Sequence, residues 1–183
     1  MILLYSEISN RSDGSGTARR LLQAAVRREF GVAMPEISRT ENGKPYFKER
    51  PDIHFSLSHT KTRAFAIVAD VPVGFDAEIP RAVGGRTQKW ACSEAELREF
   101  DFFDLWVMKE SCVKLYGGRL FDMRRFAMAR SPGGARSSGP DGRTVFLRPA
   151  DGIPDTRAAV ASFEADVFDT FFLERKKVSK KGL

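Results

Sequence analysis

The clearest hydrophobic pattern is an apolar run that charged residues interrupt at helical spacing. Residues 105–115 read LWVMKESCVKL. At 100° per residue, one stripe of such a helix holds Trp106, Lys109 and Val113. Glu110 and Lys114 are four residues apart and share the neighbouring face. Asp101 is the expected N-cap and the glycines at 117–118 the expected stop. The pattern predicts a mostly buried helix that carries a carboxylate beside an ammonium group.

Shorter alternating and periodic segments predict the other elements of an α+β chain. Strands are expected at 2–8, 53–58, 63–69, 73–78, 123–130, 143–148, 158–164 and 168–174, the last two as a pair. Helices are expected at 17–30 and, after a capping box of Ser93 and Glu96, at 93–100. The glycine-rich residues 131–142 are expected to form a loop. The order of elements favours α+β over a parallel α/β sheet.

The strand at 73–78 carries two carboxylates on one face. It reads VGFDAE, in which Asp76 and Glu78 are two residues apart. Two such carboxylates repel each other unless a cation lies between them. Together with Glu110 they supply three hard oxygen donors, which suit Mg²⁺. The alternative for Glu110 and Lys114 is an ordinary salt bridge on the helix surface, worth about 0.2–0.5 kcal/mol.

Composition restricts the function less than the motifs do. The 183 residues suit one domain, with an N-terminal half of about 1–70, a C-terminal half of about 71–174 and a flexible basic tail at 175–183. The net charge of +6 suits polyanionic partners, although solubility alone also explains it. The sequence shows no signal peptide and no membrane span, and its two cysteines suggest no disulfide framework. A cytoplasmic protein is therefore expected.

Three further segments carry candidate anion-binding groups. Lys44 follows an Asn-Gly turn, where a lysine can act as a point charge for phosphate or be merely exposed. His59 ends the strand 53–58 beside Ser58, in a corner rich in hydrogen-bond donors; its alternative is a structural role. The helix 17–30 carries Arg19 and Arg20 on its polar face, where they are candidates for anion binding. The alternative is that this face is simply basic and solvated.

Taken together, the motifs resemble those of the 4'-phosphopantetheinyl transferases, especially the Sfp type. The GxDxE segment is Gly74, Asp76 and Glu78, and the WxxKExxxK segment is Trp106, Lys109, Glu110 and Lys114. The segments 43–45 (GKP) and 55–60 (FSLSHT) precede them in the family's order. The resemblance runs from about Ile37 to Leu120. Phe75, Ala77 and Val107 depart mildly from the family pattern and leave the acidic positions untouched.

The resemblance implies a fold of two pseudo-symmetric α+β halves with the active site between them. It implies transfer of the 4'-phosphopantetheine arm from coenzyme A to a serine of an apo acyl or peptidyl carrier protein, with release of 3',5'-ADP. The metal, Mg²⁺ or possibly Mn²⁺, would be held by Asp76, Glu78 and Glu110. Coenzyme A would contact Lys44, Ser58, His59, Lys109, Lys114, Arg19 and Arg20. The implied catalytic residues are Glu110 as the base and Lys114 at the leaving phosphate, and a monomer is expected.

Two alternatives remain open at this point. The first is a basic nucleic-acid-binding module, whose binding would depend strongly on salt and would be indifferent to mutation of Asp76. It leaves the acidic pair unexplained, so nucleic-acid and membrane partners are not expected. The second is a catalytically degenerate relative that binds coenzyme A or a carrier without transferring the arm. The presence of all three acidic residues favours an active enzyme.

Overall fold

The computed structural model describes residues 1–176, and the chain in it divides into two compact units. The first consists of Met1–Val73 together with the segment that begins at Asp166, and the second is Gly74–Ala165. Both contain helices and antiparallel strands. The α+β class predicted from the sequence is therefore confirmed.

The first unit is built on a four-stranded sheet and one long helix. Its strands are β1 (Ile2–Glu7), β4 (His54–His59), β5 (Arg63–Ala69) and β11 (Phe172–Arg175), in the order β11-β1-β5-β4. Helix α1 (Gly14–Phe30) packs on β1, β4 and β5, and a hairpin of β2 (Ile37–Arg39) and β3 (Pro45–Phe47) stands beside them. The buried face of α1 includes Leu21, Leu22, Ala25 and Val26, as its apolar spacing predicted.

Helix α1 begins three residues before the predicted start at Thr17. It is preceded by a short 3₁₀ turn that ends at Asp13, and its first residue, Gly14, is buried. The apolar periodicity begins only near Thr17, so the first helical turn is invisible in the hydrophobic pattern. The end was predicted correctly, because Gly31 adopts the left-handed conformation (φ 69°) and closes the helix.

The alternation of Ile53, Phe55 and Leu57 with His54, Ser56 and Ser58 predicts a half-buried strand with one polar face, and strand β4 differs from this prediction. Ser56 and Ser58, expected on its polar face, are both buried, while Leu57 on the expected apolar face is half-buried. A hydroxyl group can satisfy itself locally with hydrogen bonds, so serine tolerates a covered face that the alternating pattern assigns to solvent.

The second unit combines a five-stranded sheet with the central helix. Its strands are β6 (Val73–Glu78), β7 (Ala129–Ser131), β8 (Gly134–Ser138), β9 (Thr144–Pro149) and β10 (Arg157–Ser162), in the order β6-β10-β9-β8-β7. The helices are α2 (Gly85–Ala91), α3 (Glu94–Glu99) and α4 (Phe102–Tyr116). Helix α4 packs on β9 and β10. As predicted, Asp101 caps it by accepting a hydrogen bond from the Phe103 N–H, and Gly117 ends it.

Two predictions in this region, one of a strand and one of a loop, are wrong. Of the expected strand 123–130, residues 123–125 belong to a 3₁₀ helix (Leu120–Arg125) and 129–130 to β7, and the expected loop 131–142 contains β8. Glycine and serine made β8 look like a loop, yet Gly134 lies so close to the Leu147 carbonyl of β9 that a Cβ there would be 2.1 Å from its oxygen. A small residue is what this close strand pairing requires.

The expected pairing of the last two strands is also wrong. β10 pairs antiparallel with β9, whereas β11 pairs parallel with β1, starting with Ile2 opposite Phe172. A parallel partner distant along the chain leaves no turn signal in the sequence. The predicted tail 175–183 overlaps this strand at Arg175, and its residues 177–183 lie outside the described residues.

None of the helices in residues 1–176 combines the length and the apolar character that a bilayer crossing needs.

Candidate active site

The acidic strand and the central helix of the second unit approach each other unusually closely. A Cβ atom on Gly74 of β6 would lie 2.0 Å from the Ser111 carbonyl oxygen and 2.6 Å from the Leu115 backbone nitrogen, both on α4. The Ser111 hydroxyl lies 2.7 Å from the Val107 carbonyl oxygen and 2.8 Å from that of Ala159, so it also links α4 to β10. Only glycine fits at position 74, which explains the first residue of the GxDxE motif.

This close approach brings three predicted site residues together. The Lys114 Nζ lies 2.6 Å from Oδ1 of Asp76, whose side chain is buried. Burial is the main cause that raises the pKa of Glu110 to about 7. The charge of Asp76 raises it further, Lys114 opposes the rise, and the charge of Glu78 and a hydrogen bond with Asp76 add to it. The result is two neighbouring carboxylates and one ammonium group.

The interaction of Glu78 with this cluster is electrostatic: its charge raises the pKa of Glu110. Glu78 stands half-buried at the end of β6, and its Oε2 accepts a hydrogen bond of 2.9 Å from Arg81 Nη1. Across residues 1–176, no set of three or more His, Cys, Asp or Glu side chains is arranged to hold a metal ion. The chemistry of the donors nevertheless fits a hard divalent cation, because the mutual repulsion of Asp76, Glu78 and Glu110 is what a bound cation would relieve.

Lys109, predicted to contact coenzyme A, is placed in the interior of the second unit. Its side chain is buried, and its Nζ donates to the Ala91 carbonyl oxygen and to Glu96 Oε2, each at 3.0 Å. Glu96 also accepts hydrogen bonds from the backbone N–H groups of Ser93 and Met128. These contacts give Lys109 a structural role, joining α4 to α3 and its flanks.

The buried Glu96–Lys109 pair was missed at the sequence level. Ser93 and Glu96 do form the predicted capping box. The sequence offered one signal for the pair, since Lys109 falls on the same helical stripe as Trp106 and Val113, where a lysine needs a buried partner.

In the first unit, several of the predicted coenzyme A contacts line one pocket of about 460 Å³. Its charged and polar walls include Arg19, Arg39, Ser58 and His59. Lys44 is adjacent to Pro45, another lining residue; it is half-buried, and burial lowers its pKa. Arg20 is not among the lining residues, and its Nη2 donates to Thr17 Oγ1 at 2.9 Å.

The start of α1 fixes one wall of this pocket. A Cβ atom on Gly14 would lie 2.2 Å from Cδ2 of His59, so the first turn of the helix rests on the imidazole ring. Glycine at this position lets the helix approach the end of β4. The pocket therefore depends on a residue to which the sequence analysis gave no role.

Arg39 is a second residue that the sequence analysis missed. It ends β2, lines the pocket, and its Nη1 donates to the Gly43 carbonyl oxygen at 2.8 Å, across the turn that leads to Lys44. It lies opposite Pro45 in a hairpin of two three-residue strands, a pairing that the sequence pattern does not specify. Two guanidinium groups, from Arg19 and Arg39, thus line the pocket, which suits a polyanionic ligand.

Comparison with known proteins identifies several relatives that share one name. The chain is 36% identical to 4'-phosphopantetheinyl transferase psf-1 of Bacillus pumilus, over 53% of this chain and 47% of the relative. It is 28% identical to a 4'-phosphopantetheinyl transferase of Bacillus subtilis, over 81% of this chain and 73% of the relative. It is also 28% identical to the transferase Sfp of Bacillus subtilis strain 168, over 53% and 49%. No protein-family model matches the chain.

These relatives confirm the resemblance that the motifs indicated. The class of protein to which the chain is similar is that of the 4'-phosphopantetheinyl transferases. Within this class the chain is similar to the Sfp type. The matched region spans about half the length of psf-1 and of Sfp, and nearly three quarters of the second Bacillus subtilis relative.

Proposed function

We propose that this protein transfers the 4'-phosphopantetheine arm of coenzyme A to a serine hydroxyl of an apo acyl or peptidyl carrier protein. The observation that carries the proposal is the cluster of Asp76, Glu110 and Lys114, beside which Gly74 allows β6 to approach α4 closely. The names of the relatives identify the same activity in proteins with which this chain aligns.

The pocket of the first unit supports coenzyme A as the donor. Its volume of about 460 Å³ lies in the range of small-molecule sites, and its arginines suit the phosphates of that molecule. In the proposal, Arg19, Ser58 and His59 contact the phosphates, with Lys44 at the neighbouring turn. Lys109 is left out, because its ammonium group already has two buried partners.

The reaction forms a bond between the serine oxygen and the phosphorus of the phosphopantetheine phosphate. The bond from that phosphorus to the bridging oxygen breaks, and its electron pair leaves with 3',5'-ADP. Glu110 takes the serine proton, directly or through a water. Lys114 supplies positive charge at the leaving phosphate, where negative charge increases during the reaction.

A divalent cation, Mg²⁺ or Mn²⁺, is part of this proposal. Asp76, Glu78 and Glu110 would hold it, with Glu78 exchanging its contact to Arg81 for the metal. When bound, the ion would neutralise charge on the diphosphate of coenzyme A. The two-half pseudo-symmetry, the monomeric state, the cytoplasmic location and the absence of nucleic-acid and membrane partners stay predictions within the same proposal.

The decisive test is intact mass spectrometry of apo carrier proteins incubated with this protein, coenzyme A and Mg²⁺, with and without EDTA. We expect a gain of about 340 Da, one phosphopantetheine arm, only when free metal is present. Asp76→Asn and Glu110→Gln should abolish the gain while circular dichroism shows an intact fold. Glu94→Gln is the matched control, since the Glu94 carboxylate is exposed in the same unit.

Two results would contradict the proposal. Full transfer by Glu110→Gln would exclude the assigned site. No transfer to any of several carriers, combined with measurable binding of coenzyme A, would instead identify a degenerate relative that binds the donor without using it.

A further inference from the structure

The second unit contains a cavity that the proposed reaction does not use. Its volume is about 420 Å³, and it lies beside the first two turns of α4. Its other walls come from β7, β8, the end of β9 and the start of β10. We call it the Asp104 cavity, after a carboxylate on its helical wall. Its lining includes neither Asp76 nor Glu110 nor Lys114.

Part of the lining of the Asp104 cavity is apolar. Val107 and Met108 of α4 line it together with Ala158 and Ala159 of β10, and all four residues are buried. Pro149 at the end of β9 adds to the same surface. A cavity of this size and lining accommodates a ring or a short alkyl chain, which is stabilised there by leaving water.

The helical wall of the cavity carries carboxylates. Asp101 caps α4, and Asp104 follows in the first turn, half-buried, with its Oδ1 3.2 Å from Nε of Arg157. Burial raises the pKa of Asp104. The charge of Arg157 opposes this rise in pKa, whereas the charges of Asp101 and Asp151 add to it. The negative charge of Asp104 is therefore not fully balanced by its neighbours, so a further cation beside it would be stabilising.

Arg130 restricts where in the cavity a cation can bind. Its guanidinium group lies over the Phe100 ring, 4.5 Å from Cζ to the ring centroid, and donates a hydrogen bond to the Glu99 carbonyl oxygen. These contacts hold the guanidinium group at the β7 side of the lining, where its charge also opposes the raised pKa of Asp104. A positive ligand group is repelled from that side and favoured at the helical wall.

The Asp104 cavity and the pocket of the first unit have similar places in their own units but differ in charge. Each is lined by the start of a long helix, by a pair of short strands and by the end of the strand β4 or β9. In each, an arginine comes from the first strand of that pair, Arg39 or Arg130. The helix adds Arg19 in the first unit and Asp104 in the second. The same kind of place thus suits an anion in one unit and a cation in the other.

We propose that the Asp104 cavity binds a small amphipathic cation, an ammonium group on an apolar body. The ammonium group lies at Asp101 and Asp104, and the apolar body lies against Val107, Met108 and the other apolar residues. The inference is independent of the proposed function, because the cavity shares no lining residue with the acidic cluster.

The test compares three probes that share one phenyl ring and differ in charge. They are 2-phenylethylamine, a cation at neutral pH, 2-phenylethanol, which is neutral, and 3-phenylpropionate, an anion. Each is titrated into the full chain labelled with nitrogen-15 and followed by NMR. We expect the amine to bind with a Kd below about 1 mM and to shift the backbone signals of Met108, Ser131 and Gly134. The alcohol should bind at least about tenfold more weakly, and the anion should not bind.

Substitutions then separate the charge of the site from its shape. Asp104→Asn, which keeps the shape of the side chain, should weaken binding of the amine at least about tenfold. Glu94→Gln is the matched control, since the Glu94 carboxylate is exposed in the same unit and does not line the cavity. Ser131→Phe adds volume to the lining and should weaken binding of the amine and the alcohol alike. Circular dichroism checks that each variant is folded.

Several results would overturn the inference. Equal binding of the three probes would show an apolar cavity without charge selection, and tighter binding of the anion would make Arg130 its determinant. Shifts at Gly74 and Asp76 in place of the cavity signals would mean that the amine prefers the acidic cluster. Amine binding that Asp104→Asn leaves unchanged, or that is absent from the wild type, would equally contradict it. The transfer assay is unaffected by any of these outcomes, so the proposed function is tested separately.

Discussion

Replacing Gly74 with alanine tests the contact on which the acidic site depends. The new Cβ would lie 2.0 Å from the Ser111 carbonyl oxygen and 2.6 Å from the Leu115 nitrogen, closer than the 3.0 Å that Cβ contacts in proteins respect. Both obstacles are backbone atoms of a hydrogen-bonded helix, so no side-chain rotation relieves the overlap. Strand β6 and helix α4 would have to separate by about 1 Å.

The size of the effect follows from this displacement. Overpacking of a core contact costs about 1–3 kcal/mol, and a clash with two backbone atoms belongs at the upper end. For a chain of this length, 3 kcal/mol corresponds to a fall in Tm of roughly 6–12 °C. The same displacement would lengthen the 2.6 Å contact between Asp76 and Lys114. Gly74→Ala should therefore lose transferase activity in addition to stability.

The measurement is thermal unfolding followed by circular dichroism, with the mass-spectrometric transfer assay run below the transition. Gly85→Ala is the control, because Gly85 is the first residue of helix α2 and nothing lies within 4 Å of the new Cβ. It should leave Tm unchanged or raise it slightly. A Gly74→Ala protein with the Tm and activity of the wild type would refute the close approach of β6 and α4.

Two further predictions concern a wall of the pocket and the buried ion pair. Gly14→Ala should weaken coenzyme A binding, measured calorimetrically, because the methyl group displaces the His59 ring; unchanged affinity would remove His59 from the site. The pKa of Glu96 lies below its ordinary range, since burial raises it but the hydrogen bonds from Lys109 and backbone N–H groups lower it more. The pair's contribution to stability is then complete above the ordinary pKa of a glutamate and is lost as the pH falls through the lowered value. Lys109→Met should cost about 3–5 kcal/mol in urea unfolding at pH 7 and less in acid, whereas an equal cost at both would show that the charge of Glu96 is irrelevant.

The sequence predicted local elements better than their partners. The helix around Glu110 and the strand carrying Asp76 were located correctly because apolar spacing, a cap and a glycine all gave the same answer. β8 was missed because its glycine and serines fit close strand pairing but mimic a loop. The parallel pairing of β11 with β1 was missed because pattern alone does not state which strand will be the neighbour.

For the candidate site, motif spacing singled out residues that the structure places side by side but did not predict their contacts. Lys114, expected beside Glu110, also contacts Asp76, a pairing that the motifs did not specify. Lys109, four residues from Val113 on one stripe, turned out to be neutralised inside the unit by Glu96. The contact between Glu96 and Lys109 joins two helices and residues thirteen positions apart, so the pattern within one helix does not predict it. Arg39 lines the pocket because the β2–β3 hairpin places it there, and the preferences of single residues do not predict the geometry of that hairpin.

The parallel pairing of β1 with β11 has a consequence for synthesis of the protein. β1 leaves the ribosome before its partner Phe172–Arg175, which lies far along the chain. Until that partner is made, one edge of β1 has exposed backbone groups that can pair with another chain. Formation of the complete first sheet must also wait for a contact between residues far apart in the chain, which slows folding. The nascent protein is therefore more prone to aggregation before β11 is made, and a chaperone that covers β1 would protect it during that interval.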